Sequence, residues 1–198
     1  MVEDRRLEAS LAAERLDPVA APTDEDLMMM YRSGDMAAFE VLYRRHKDPL
    51  YRYLLRGCAH REAAAELFQD VWAGLVRSRG SYEPRARFGA WLYRMAHNRL
   101  IDHLRLAPRA PQALDEELLP PAAEHERPEA RLLAGESATR LRRALADLPV
   151  PQREAFLLHE EAGLTLEEIA QIGGVGRETV KSRLRYALAK LREALADD

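Results

Sequence analysis

Apolar residues in this 198-residue chain recur at helical spacing, and the alternation typical of strands is absent. β-branched residues, which favour strands, are also few. Local start and stop signals support the helices, because Thr23 or Asp24 can cap the first, Gly34 ends it and Asp35 caps the second. The predicted helices cover residues 24–33, 35–56 with a kink or break at Pro49, 62–76, 88–106 and 129–147. The chain is therefore predicted to be all-α.

The segment from Thr165 to Glu193 reads TLEEIAQIGGVGRETVKSRLRYALAKLRE and predicts a helix-turn-helix. Thr165 and Glu168 form a capping box, and the three glycines that follow permit a positive φ in a tight turn. One face of the second helix is an apolar stripe of Val180, Leu184, Leu188, Leu191 and Leu195. The opposite face carries Glu178, Thr179, Ser182, Arg185 and Tyr186, with Lys181 and Arg183 on its flanks. Short polar groups flanked by cations suit the major groove of DNA, although a helical hairpin with a solvated charged face has a similar pattern.

A proline-rich segment divides the chain. Residues 107–128 contain five prolines and no clear hydrophobic period, which indicates a flexible linker between two small helical domains. Fully extended, such a linker spans at most ~75 Å, which is enough for the domains to contact DNA two helical turns apart. The predicted divisions are an extension over 1–22 that is a frayed helix or disordered, a first domain over 23–106, the linker over 107–129 and a second domain over 130–198.

Charge is segregated along the chain. The net charge is −3, but residues 77–109 carry +6, residues 115–129 carry −5 and residues 173–193 carry +4. The two basic segments are candidate electrostatic footprints for nucleic acid. A single cysteine, Cys58, excludes an internal disulfide and a CxxC metal site, and the chain shows neither a signal peptide nor a run of eighteen apolar residues. These features predict a cytoplasmic protein that does not insert into a membrane.

The predicted helix 88–106 and the loop before it combine aromatic and basic side chains. Phe88, Leu92 and Met95 form its apolar face. Arg94, Asn98, Asp102 and Arg105 share a polar stripe beside Trp91, and the loop adds Tyr82, Arg85 and Arg87. Rings that stack on unpaired bases, together with cations that follow the backbone, suit single-stranded nucleic acid. A place in the hydrophobic core is the alternative for both Trp91 and Tyr82.

These residues carry a family resemblance. FGAWLYRMAHNRLIDHLR resembles the helix with which bacterial sigma factors of the extracytoplasmic-function type recognise the promoter −10 element. AELFQDVW resembles the helix that binds the β′ coiled coil of RNA polymerase. LADLPVPQREAFLLHEEAGLTLEEIAQIGGVGRETVKSRLRYALAKLR resembles the −35-binding domain. The likeness covers residues 24–106 and 130–196 in the family's order. It differs at Ala64 and Ala65, where the family often has an acidic pair, and at Gly173, where a larger apolar residue is usual.

The resemblance implies three groups of site residues. Those expected to bind polymerase are Leu67, Gln69, Asp70 and Trp72. Those expected to contact the non-template strand of the −10 element are Tyr82, Arg85, Arg87, Trp91, Arg94, Asn98, Arg99 and Arg105. Those expected to contact the −35 element are Arg177, Glu178, Thr179, Lys181, Ser182, Arg183 and Arg185. The implied partners are core RNA polymerase, through its β′ and β subunits, promoter DNA and an anti-sigma factor. The implied location is the nucleoid of the cytoplasm, or a membrane where the anti-sigma factor would hold the chain.

Two other functions are considered. A stand-alone helix-turn-helix regulator would use only residues 165–193 and would normally dimerise on a palindrome, but no separate dimerisation helix is evident. An enzyme would need a catalytic or metal-binding set. His97 and His103 fall on different helix faces, and GGVG lacks the lysine and spacing of a phosphate-binding loop. We therefore expect no catalytic residue, metal or cofactor.

Overall fold

A computed structural model describes residues 21–58, 60–106 and 139–196 of the chain. The regular elements in these three ranges are helices, as the apolar spacing predicts. The predicted extension over 1–22, apart from its last two residues, the linker over 107–129 and the start of the helix over 129–147 lie outside the described residues. Among the described residues, each helix is either too short or too polar to span a membrane.

The first domain contains four helices. Their bounds are α1 Asp24–Arg32, α2 Met36–Cys58, α3 Arg61–Ser78 and α4 Phe88–Leu106, and a single 3₁₀ turn, Arg79–Ser81, follows α3. Thr23 and Asp26 cap α1 reciprocally, and the Asp35 carboxylate accepts hydrogen bonds from the first backbone N–H groups of α2. Gly34 between them has a φ of 106°, a conformation that side chains with a Cβ rarely adopt. The local capping signals therefore act as the sequence predicts.

Of the kink or break predicted at Pro49, the break is wrong, because α2 continues through Pro49 to Cys58. A proline inside a helix costs about 3 kcal/mol relative to alanine. On either side of it α2 buries Leu42, Leu50 and Leu54 completely, and each such side chain contributes roughly 1.5–3 kcal/mol. Packing of α2 against α1, α3 and α4 outweighs the local cost, so the helix remains continuous.

The core of the first domain lies where α2, α3 and α4 meet. Tyr53, Leu75, Leu92 and Leu100 are fully buried there. Helices α2 and α4 approach so closely at Gly57 that a Cβ at this position would lie 2.5 Å from the Leu100 Cδ2 atom. Glycine at residue 57 therefore sets the distance between the two long helices.

The second domain is built from shorter helices. Residues 139–146 form the described part of α5, and α6 Val150–Glu160, α7 Leu166–Gly173 and α8 Arg177–Ala196 follow. Helix α8 packs against both α6 and α7. Thr165 and Glu168 form the predicted capping box at the start of α7. Of the three glycines predicted to permit a positive φ, Gly173 is the last helical residue and Gly174 adopts the left-handed conformation, with φ of 61°. The turn therefore depends on Gly174.

Candidate nucleic-acid and polymerase interfaces

Helix α8 presents one polar face to solvent. Val180, Leu184, Ala187 and Leu191 are buried against α6 and α7, whereas Leu195 is 41% exposed and lies beyond the packed stripe. The predicted −35 residues at the start of the helix are on the other side: Arg177, Glu178, Thr179, Lys181 and Arg185 are exposed, and Ser182 and Arg183 are half-buried at its margins. The structure thus brings the predicted −35 residues onto one surface.

Acidic neighbours partly neutralise this face. Arg177 pairs with Glu167 of α7 and lies 3.4 Å from Glu178, and the Lys181 ammonium group lies 3.6 Å from the Glu178 carboxylate. The Arg185 guanidinium group lies 5.1 Å from the centre of the Tyr186 ring. Arg185 thus packs against a ring and not a carboxylate, which leaves its charge available to a phosphate.

Helix α4 presents the predicted polar stripe. Arg94, Asn98, Asp102 and Arg105 are exposed along one side, and Arg99 is exposed beside them. Phe88 and Leu92 are fully buried and Met95 is half-buried, so the predicted apolar face is the one that packs. The stripe contains one acid: the Arg105 guanidinium group lies 3.9 Å from the Asp102 carboxylate. The stripe therefore keeps a net positive charge along about three turns of helix.

Trp91 and Tyr82 pack against each other at the start of α4. Their ring centres lie 5.0 Å apart in an edge-to-face arrangement, and Trp91 is half-buried. Tyr82 is only 2% exposed, and its hydroxyl group has no hydrogen-bond partner among the described residues. Burial, followed by the nearby carboxylates of Glu25 and Asp24, raises the pKa of Tyr82 to about 12. The base contact expected of Tyr82 therefore stays a prediction that would require the ring to become exposed, because in this conformation the ring packs against Trp91.

The two arginines of the loop have acidic partners. Arg85 lies 2.5 Å from Glu83 within the loop. Arg87 lies 3.3 Å from Glu168, which belongs to the second domain. Both arginine side chains remain more than half exposed, so solvent screens these pairs. Each guanidinium group can therefore exchange its carboxylate for a phosphate.

The residues expected to bind polymerase separate into a buried and an exposed pair. Leu67 and Trp72 are 7% and 6% exposed, and the rings of Phe39, Tyr43 and Phe68 surround Trp72. Gln69 and Asp70 are exposed on α3. In this conformation Leu67 and Trp72 pack on the core, so a direct contact of these two residues with polymerase stays a prediction. Ala64 is fully buried as well, so an acidic residue at this position would lose its hydration.

The two domains contact each other through residues that the sequence analysis missed. Glu161, whose side chain is 8% exposed, pairs with Arg52 at 2.9 Å and with Arg56. His97 and Glu154 approach to 3.1 Å without hydrogen-bond geometry, near the edge-to-face rings of Tyr53 and Tyr93. The i, i+4 spacing of Arg52 and Arg56 is the one sequence signal of this contact, and it does not identify a partner 105 residues away.

Two of the histidines have other neighbours in the described structure. No group of three histidine, cysteine or acidic side chains within metal-binding distance exists in the part of the chain that the structure describes. His97 faces Glu154 across the domain contact, as described above. The His159 Nδ1 atom lies within hydrogen-bond distance, 3.1 Å, of the Leu164 carbonyl oxygen. The histidines with described contacts are therefore structural in this arrangement.

A helical domain with an exposed basic stripe, followed by a helix-turn-helix domain, defines a class of two-domain transcription proteins. The family description "Sigma-70 region 2" matches residues 42–109, and "Sigma-70, region 4" matches residues 138–191. The first match contains α3 and α4, and the second contains α6, α7 and α8 as far as Leu191. Each family match therefore covers one of the surfaces described above.

Full-length relatives identify the subfamily. The chain is 34% identical over 173 residues to the ECF RNA polymerase sigma factor SigM of Mycobacterium tuberculosis, an alignment that covers 87% of this chain and 85% of the relative. It is 33% identical to the RNA polymerase sigma factor CarQ of Myxococcus xanthus, over 86% of this chain and 96% of the relative. The chain therefore belongs to the extracytoplasmic-function (ECF) family of RNA polymerase sigma factors.

Two solved structures share the fold. One is CnrH in complex with the cytosolic domain of CnrY, with a TM-score of 0.66, 24% identity and coverage of 88% of this chain and 99% of that one. The other is the sigma factor RpoE of Bartonella quintana in complex with the anti-sigma factor NepR, with a TM-score of 0.65, 22% identity and coverage of 81% and 98%. These likenesses agree with the all-α, two-domain prediction.

Proposed function

We propose that this sigma factor binds core RNA polymerase through α3, reads the promoter −35 element as duplex DNA with α8, and holds the non-template strand of the opened −10 element on α4. The observation that carries the proposal is the exposed stripe of Arg94, Asn98 and Arg105 on α4. A stand-alone helix-turn-helix regulator has no use for this stripe.

The α8 face suits a duplex. Thr179 and Ser182 are short polar side chains that reach base edges, and Lys181 and Arg185 lie beside them where phosphates pass. Arg177 and Arg183 extend the cationic margin, and Glu178 is placed to accept from a base amino group. Side chains at the start of a recognition helix contact bases in helix-turn-helix proteins, and α8 begins at Arg177.

The α4 surface suits an unpaired strand. Arg94, Arg99 and Arg105 supply cations along the helix, Asn98 supplies an amide between them, and the half-buried Trp91 offers a ring at one end. Stacking contributes about 1–3 kcal/mol per base, and extruding a base costs a similar amount. The surface therefore captures a strand that polymerase helps to open, and Arg85 and Arg87 guide the backbone towards it.

The polymerase contact is assigned to the exposed side of α3. Gln69 and Asp70 lie there, and Leu67 and Trp72 hold the helix on the core. The polymerase carries out the bond-forming chemistry of transcription, and this chain recognises the promoter. We accordingly propose that the sigma factor acts at the nucleoid of the cytoplasm.

An anti-sigma factor is the proposed inhibitory partner. The two structural relatives are complexes with a cytosolic domain of CnrY and with an anti-sigma factor. Both the α4 and the α8 surfaces of this chain are exposed in the described residues, so a partner that covers both would prevent promoter binding. Such a partner, if anchored in a membrane, would hold the sigma factor there until a signal releases it.

The proposal is tested by separating duplex binding from strand capture. Holoenzyme carrying Arg94→Ala is expected to bind promoter duplex normally but to lose permanganate reactivity of the −10 thymines. Holoenzyme carrying Arg185→Ala is expected to lose duplex affinity. Arg44→Ala, which removes an exposed cation of α2, is the matched control. Normal opening by the Arg94 variant would overturn the strand-capture assignment.

A further inference from the structure

The loop over residues 82–88, here called the −10 loop, is held at both ends by α1. At its first residue, the Arg32 guanidinium group donates a 2.8 Å hydrogen bond to the Tyr82 carbonyl oxygen. At its last residue, the Phe88 backbone N–H donates a 2.6 Å hydrogen bond to the Glu25 carboxylate. The two partners are 50 and 63 residues away in the chain, so neither contact is a consequence of local folding.

The contact at Phe88 satisfies a need of α4. The first backbone N–H groups of a helix have no partner within it, and Ser, Thr, Asp or Asn before the helix normally accepts from one of them. The residue before Phe88 is Arg87, whose side chain has no acceptor. Glu25 performs this role from another helix, and its charge is favourable at the positive end of the helix dipole. Glu25 thereby fixes where α4 begins.

Helix α1 is itself firmly placed. Leu27, Met28 and Tyr31 are buried on the core, and the Asp24 carboxylate accepts hydrogen bonds from Arg45 at 2.7 Å and from His46 at 2.6 Å, both on α2. Burial alone would raise the pKa of Asp24, but the hydrogen bonds and charges of Arg45 and His46 outweigh it and lower the pKa.

A third contact links α1 to the residues before the loop. The Arg79 guanidinium group of the 3₁₀ turn lies 5.3 Å from the centre of the Tyr31 ring. With Arg32 on Tyr82 and Glu25 on Phe88, α1 therefore holds the chain at three points between the end of α3 and the start of α4.

We propose that Glu25 and Arg32 are positioning residues for promoter opening, an inference that rests on the proposed role of α4. They hold the ends of the −10 loop so that Arg85, Arg87 and Trp91 meet the displaced strand in one arrangement. Neither residue touches the DNA. Fixing a binding loop before it binds removes the conformational entropy that binding would otherwise have to overcome.

The charge of Glu25 allows a positioning role to be distinguished from a purely electrostatic role. A carboxylate near a phosphate-binding surface repels the strand, so a purely electrostatic role predicts that removing it improves strand capture. The positioning role predicts the opposite. Glu25→Gln separates the two, because glutamine loses the charge but keeps a carbonyl acceptor for the Phe88 N–H.

The experiment uses holoenzyme assembled from purified core polymerase and the full chain on a promoter that it transcribes. Permanganate reactivity of the −10 thymines measures opening, and parallel titrations measure affinity for core polymerase and for duplex promoter DNA. Glu25→Ala and Arg32→Ala are expected to reduce opening about five- to tenfold, the factor for one lost capping hydrogen bond. Glu25→Gln and Arg32→Lys are expected to restore most of the opening. In all four variants, the affinities for core polymerase and for duplex promoter DNA are expected to stay within about twofold of wild type.

Glu40→Ala and Arg44→Ala, exposed residues of α2, are matched controls that change the same charges without touching the loop. Opening by Glu25→Ala that equals or exceeds wild type would overturn the proposal, as would a Glu25→Gln variant no better than Glu25→Ala. If Arg94→Ala impairs opening and Glu25→Ala does not, only the positioning role fails. If neither impairs opening, the role of α4 itself fails. Arg32→Ala serves as the second variant, because it leaves the start of α4 intact.

Discussion

At the scale of single residues, side chains at one surface divide into those that meet solvent and those that support them. Arg185 is exposed on α8, whereas Tyr82 is 2% exposed beneath Trp91. Both belong to predicted DNA-binding sets, but only the first can contact DNA without a rearrangement. Substitutions at the two positions are therefore expected to affect different properties of the protein.

Arg185→Ala and Lys181→Ala are expected to weaken binding to the −35 duplex and to reduce its salt dependence. Each substitution removes one cation that displaces a counterion from the phosphate backbone, so the slope of log affinity against log salt should fall by about 1. Lys190→Ala, one turn or more further along α8, is the control. Titration at several salt concentrations measures the slope, and an unchanged slope for Arg185→Ala would contradict the assigned face.

Tyr82→Phe is expected to leave promoter opening unchanged and to raise the free energy of unfolding by about 1 kcal/mol, because it removes a buried hydroxyl group that has no hydrogen-bond partner. Urea denaturation measures the stability and permanganate footprinting the opening. The fold holds the Tyr82 hydroxyl group in its neutral form, because burial raises its pKa to about 12. The stability linked to this shift is fully present below pH 10, and the free energy of unfolding falls as the pH rises from 10 towards 12. The phenylalanine variant should lack that alkaline component. A loss of opening would instead assign the hydroxyl group to the DNA.

At the scale of elements, the turn of the helix-turn-helix depends on one glycine of three. Gly173→Ala is expected to be neutral or to stabilise the protein by up to about 1 kcal/mol, because residue 173 is helical and a Cβ there meets only ordinary contacts. Gly174→Ala is expected to destabilise by about 1–2 kcal/mol, because φ is 61°. Urea denaturation of the two variants compares them directly. Equal effects of the two substitutions would show that the turn is not fixed by Gly174.

Most element boundaries could be predicted because their causes are local. Thr165 and Glu168 cap α7, Asp35 caps α2, and α4 spans the predicted residues 88–106. The misleading signal was Pro49, whose helix-breaking tendency is also local but is outweighed by packing against three other helices. The Glu25 cap of α4 was not predictable, since its partner is remote in the chain. Sequence patterns therefore predict the helices and their local caps, but not a cap that another helix supplies.

At the scale of the whole molecule, the two domains share an interface built around Glu161. The structure orients its carboxylate towards Arg52 and Arg56, and burial followed by the charge of Arg52 lowers the pKa of Arg56. Periodicity could not reveal this contact, because the predicted linker leaves the relative placement of the domains open. The same arrangement pairs Arg87 with Glu168. One guanidinium group cannot neutralise both Glu168 and a phosphate, so promoter binding is expected to break that pair.

Glu161→Ala is expected to lower the free energy of unfolding by about 1–3 kcal/mol and to increase the radius of gyration of the free chain. Two charge-assisted contacts are lost, and the half-exposed Arg52 regains water, which keeps the loss towards the lower end. Glu160→Ala, at the exposed neighbouring position, is the matched control. Small-angle X-ray scattering and urea denaturation provide the two readouts, and identical behaviour of the two variants would argue against the interface.

The proposed function requires that the surfaces of α3, α4 and α8 act together to start transcription. Run-off transcription with purified core polymerase on genomic fragments measures this joint action. Transcripts that begin at defined positions only when the chain is added, and that are lost with Arg94→Ala or Arg185→Ala, are the predicted result. Specific binding of the chain to duplex fragments without any such transcript would contradict the account and favour a stand-alone regulator.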